Sequence, residues 1–166
     1  MAISESLLML AGFVFAHATW SVSDLPKDEL LVPLAIIEKS GQRELLRFEA
    51  ETQEQAISQG KITMRERENA IDGWAFAREG KMNESGKYVD VLTIEAKGHG
   101  MRESVVFVQR FQPLAKGQFK LIGVPMVSVG GKLVSAEESK QLVAGLNLGV
   151  QSHSKAAQLW PQWVSH

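Results

Sequence analysis

Four residues on two predicted strands, Trp74, Arg78, Gln109 and Arg110, could line a ligand groove, the indole supplying contact area and the polar groups orientation. Packing accounts for the same residues more simply: Trp74 as core, Arg110 as the partner of Asp90, and Gln109 as a surface strand position. Other groups capable of chemistry lack the necessary neighbours. The histidines at 17, 99, 153 and 166 have no metal-ligand spacing, and no metal or cofactor is expected. His99 lies between two glycines in a predicted turn, as an exposed loop residue would. Gly130-Gly-Lys132 ends like a phosphate loop. However, Leu133 stands where a magnesium-binding hydroxyl belongs and Met126 where the first glycine belongs, so a turn is expected there. There is no G-x-S-x-G elbow, and without cysteine there is no thiol nucleophile, disulfide or thiolate metal site.

Asp72 with Glu95-Ala-Lys97 resembles the spacing pattern of the PD-(D/E)xK nucleases. That resemblance implies a divalent cation held by Asp72 and Glu95, with Lys97 steadying the attacking water. Ile71 occupies the place of the usual proline. Strand geometry sets the remaining test. Glu95 and Lys97 share a face, and the side on which Asp72 falls depends on how its strand pairs.

The elements that must position these residues form one α+β domain over 1–166. An apolar helix over 1–22 carries Ile3, Leu7, Leu10, Val14 and Ala18 at helical spacing. A hairpin over 30–50 turns at Ser40-Gly41, with Pro33 placing its first strand at an edge or just after the proline. Thr52 and Gln55 make a capping box for a helix over 52–69, whose Arg65-Glu-Arg-Glu68 run reads as a solvated face. A four-stranded antiparallel meander fills 72–129, and a helical segment opened by the Ser135–Glu138 capping box fills 135–166. Trp160 and Trp163 are too large and apolar to trail free, and at least one is expected to dock on the body.

Pairing Phe76 with Ile94 puts Trp74, Phe76, Leu92, Ile94 and Ala96 on one face and sets Arg110 opposite Asp90. The other face then gathers Phe107, Phe111, Phe119 and Leu121 on its later strands, an apolar half-face and candidate interface. Its cover is the N-terminal helix, the C-terminal helix or a second copy of the chain.

Composition narrows the function class. Eighteen basic residues against nineteen acidic ones provide no overall field for nucleic acid or an anionic membrane. The apolar run before Ala16-His-Ala18 falls short of a membrane span, and Glu5 stands where a signal peptide carries positive charge. A cytoplasmic location follows, with export through an atypical signal at residues 1–18 as the alternative. The leading expectation is a non-catalytic binding or protein-interaction module that uses the apolar sheet face, with a protein partner or a homodimer. The alternatives are the metal-dependent nuclease and a small-molecule-binding domain with a pocket between helix and sheet.

Overall fold

The computed structural model describes residues 3–164. The chain opens with α1 (Glu5–Val22), whose first amides are capped by the Ser4 hydroxyl, which accepts from the Leu7 N–H at 3.1 Å. Apolar residues run around most of this helix, a pattern that requires burial on more than one side. By length and composition α1 could cross a bilayer, yet its apolar surface is used inside the fold.

β1 (Leu34–Lys39) and β2 (Gln42–Arg47) follow, joined at Ser40-Gly41. Both turn residues have positive φ, 53° and 77°, as a two-residue hairpin turn requires. β1 starts immediately after Pro33, so the missing N–H costs no ladder bond. Thr52 caps α2 (Gln53–Arg67) by accepting from the Gln55 N–H, as its capping box foretells.

Next come β3 (Gly73–Glu84), β4 (Lys87–Gly98), β5 (Val105–Gln112), β6 (Lys120–Val129) and the two-residue β7 (Lys132–Leu133). The chain closes with α3 (Ala136–Gln151), capped by Ser135, and α4 (Ser154–Trp163). The strands form one seven-stranded sheet in the order β2-β1-β3-β4-β5-β6-β7, antiparallel throughout. The strands expected as a separate hairpin and meander are thus continuous, because β1 pairs with β3.

The register differs by one residue from the sequence-based pairing. Phe76 faces Glu95, and it is Ala77 that faces Ile94. A two-residue turn at Ser85-Gly86, with φ of 52° and 86°, fixes this pairing, and hydrophobic matching across the hairpin had suggested the neighbouring one. Phe111, in turn, is the residue opposite Asp90, and Arg110 lies opposite Val91. The expected Arg110–Asp90 pair does not form: Arg110 reaches Glu84 at 3.3 Å, and Asp90 lies 3.3 Å from Lys116.

This register assigns the faces. Ala75 and Ala77 of β3, Leu92, Ile94 and Ala96 of β4, and Phe107 and Phe111 of β5 pack with α1 and the C-terminal helices in the larger core. α2 covers part of the opposite face, where Ala35, Ile37, Trp74 and Phe76 pack with Met64 and Phe48. Trp160 and Trp163 dock as expected, edge-on to Phe15 and Phe119 at 5.2 and 5.6 Å.

Candidate functional site

α2 covers the β1–β3 end of its face and stops short of the later strands, leaving a cleft of about 550 Å³. Lys61, Met64, Arg65 and Glu68 of α2 form one wall. They sit at i, i+3, i+4 and i+7, so a single helical stripe faces the cleft. Trp74, Phe76, Arg78, Glu95, Lys97 and Val106 make the floor, all on the same sheet face under the observed register. The far wall is Arg102-Glu-Ser104 from the β4–β5 connection and the Gly130-Gly131 turn.

Two ion pairs occupy the floor. The Arg78 guanidinium lies 3.2 Å from Glu95 and 5.4 Å from the centroid of the Phe76 ring. The other Glu95 oxygen accepts from the Ser104 hydroxyl at 2.7 Å. The Lys97 ammonium is 2.9 Å from Glu68. All four side chains are only 17–22% exposed, so these charges are shielded from water and held in place. Lys61, Arg65, Arg102 and Glu103 make no ion pair among the described residues. Trp74 adds a buried indole N–H with no acceptor among the described residues.

The candidate catalytic groups are held in these contacts or lie elsewhere. Both oxygens of Glu95 are engaged, and the Lys97 ammonium is paired with Glu68. Asp72 does not line the cleft. Its carboxylate accepts from the Ser40 N–H at 2.8 Å, bracing the β1–β2 turn, while its own backbone bonds Glu38 and His99. The one-residue shift that could unite Asp72 with Glu95 and Lys97 is present, yet the Asp72 side chain is drawn to the hairpin. Among the described residues no group of three His, Asp or Glu could hold a metal ion.

The other expected positions disperse. Phe107, Phe111, Phe119 and Leu121, the candidate interface, are 1–4% exposed and belong to the core beneath the chain's own helices. Of the possible cover, it is α1 with α3 and α4 that closes this half-face, which removes the surface that motivated a homodimer. Trp74 and Arg78 do meet in the cleft. Gln109 is buried on the opposite face, where its amide donates to the Ile122 and Gly123 carbonyls across a register shift between β5 and β6. Arg110 lies on the cleft's face but outside its lining, bound to Glu84.

A second recess, of about 430 Å³, lies beside the Val22–Leu30 connection and holds Glu79 and Asp90. Burial pushes the Glu79 carboxyl above its usual range, while one of its oxygens accepts from the Leu31 N–H at 2.9 Å. Asp90 lies between Lys81 and Lys116. Both carboxylates therefore have partners, and Glu79 anchors the connection. Comparison with family models, with curated proteins and with solved structures finds no match.

Proposed function

We propose that the protein is a non-catalytic small-molecule-binding domain that takes a polar ligand in the cleft between α2 and the sheet. The observation that carries this reading is the cleft itself: about 550 Å³, within the size range of ligand pockets, with a shielded charged floor. Fixed ion pairs keep the floor of the cleft preformed, because their side chains are already immobilised. Phe107, Phe111, Phe119 and Leu121, the expected interaction surface, are covered by the chain's own helices. The nuclease reading would need Asp72 to leave the Ser40 turn.

Thermal unfolding against a library of polar metabolites provides the test, run in parallel on Val106→Trp, which fills the cleft from its floor. A ligand present at about 100 times its Kd stabilises a single-site protein by about 2.7 kcal/mol, a shift of several degrees. Such shifts should occur in the wild type and vanish in the variant. Hits that survive unchanged in Val106→Trp, or no hits at millimolar concentration, would overturn the proposal.

A further inference from the structure

Resting on the cleft being a binding site, we infer that its ligand is a phosphomonoester, with the dianionic head held between Lys61 and Arg65 of α2 and Arg102 of the facing wall. The charge balance points there first. Five cationic side chains line the cleft against three carboxylates, a local surplus of two positive charges in a chain whose net charge is −1. The position of that surplus matters more than its size. Arg78 and Lys97 are neutralised in the floor by Glu95 and Glu68, so the uncommitted cations are those on the walls. Glu103, the remaining carboxylate, rests against the backbone of Gly130, at a site where a Cβ would collide with it.

Lys61 and Arg65 stand one helical turn apart on the same stripe of α2, and Arg102 approaches from the β4–β5 connection. Cations on two facing walls can converge on one compact dianion placed between them. Guanidinium forks match a tetrahedral oxyanion with paired hydrogen bonds, whereas an ammonium acts as a point charge. Val106, half-buried in the floor, supplies apolar surface for an organic group on the ester.

The experiment is calorimetric titration of the full chain with phenyl phosphate, inorganic phosphate and succinate, at low and at physiological salt. Phenyl phosphate should bind more tightly than succinate and lose about tenfold or more in affinity in Arg65→Ala and in Arg102→Ala, about 1.4 kcal/mol each. Both side chains are exposed, so neither variant threatens the fold. Arg67→Ala, which removes a cation paired with Glu44 outside the cleft, should leave binding unchanged. Equal affinity for inorganic phosphate would support the dianion site and identify free phosphate as its occupant. Succinate binding above phenyl phosphate, or phosphate binding indifferent to Arg65 and Arg102, would overturn the inference. Library hits lost in Val106→Trp would still uphold the cleft in that event, and their absence would bring down both.

Discussion

His153 shows how one side chain can bind local structure to pH. Its Nδ1 accepts from the Ala156 N–H at 3.1 Å and so caps α4, which leaves the ring proton on Nε2. That Nε2 lies 3.1 Å from His17 Nδ1, so His153 donates and His17 accepts. The His17 proton is thereby forced onto Nε2, which is buried without a partner among the described residues. Burial is the largest cause that lowers the pKa of both rings; His153 and Arg47 add to it at His17, and at His153 Lys155 adds to it while a backbone hydrogen bond opposes it. With folded pKa values below that of the unfolded chain, the unfolded state binds more protons in the window between them. This contribution to stability is therefore complete above about pH 6.5 and declines as pH falls below it. Glu79 has the opposite slope, since its folded pKa is raised. The informative quantity is accordingly a difference between variants. His153→Asn keeps a capping side chain and removes the titrating ring, so its thermal midpoint should fall less than that of the wild type between about pH 7 and pH 5. Parallel slopes would refute the coupling. His153→Ala also loses the cap and should cost about 1 kcal/mol at neutral pH.

Between elements, α1 and α3 cross in close backbone contact. A Cβ on Gly12 would collide with the Leu146 carbonyl oxygen and with Gly149, and one on Gly149 would collide with the Met9 carbonyl. These obstacles are backbone, so the helices would have to separate. Gly12→Ala should therefore destabilise by about 1–3 kcal/mol in denaturant unfolding, despite the roughly 1 kcal/mol helix-propensity advantage of alanine. Gly145→Ala meets only the movable Leu8 side chain and should cost less. Equal effects would show that helix spacing is not set at Gly12. The features legible in the chain beforehand were the local ones. Thr52 and Ser135 cap the helices they were expected to cap, and Ser40-Gly41 makes its turn. Register was illegible because β3 is buried on both faces near Trp74–Ala77, so apolar alternation carries no information there. For the same reason the cover over Phe107 could not be chosen: α1 lies more than eighty residues away in sequence. In the cleft, Trp74 and Arg78 were visible as strand residues. The Arg65–Glu68 run reads in sequence as a solvated face, although the common helical stripe of Lys61, Arg65 and Glu68 is a usable signal. Arg102 and Gly130 sat in turns that nothing local tied to α2.

At the scale of the molecule, α1 is the helix on which the other layers rest. It lies against β3 and β4 on one side and α3 on the other, and it completes the cover over the Phe107 face. With that face occupied, light scattering at high micromolar concentration should give the monomer mass, and a dimer would call for a different surface. The same packing bears on residues 1–18, the segment that an export signal would remove. Leu7, Leu10, Val14 and Phe15 are all at most 4% exposed. At about 1.5–3 kcal/mol for each buried side chain, these four alone contribute roughly 6–12 kcal/mol, the size of a typical domain's entire stability. Their loss would also open Ala75, Leu92, Ile94 and Phe107 to water. A chain beginning at Thr19 should therefore show no cooperative thermal transition and should bind an apolar dye such as ANS, whereas the full chain unfolds cooperatively. A truncated chain with the full chain's near-UV spectrum and melting temperature would mean that the sheet folds without α1. In that case residues 1–18 would be free to serve as a removable signal. Failure to fold would tie the segment to the working protein, because the core that positions the cleft cannot form in its absence.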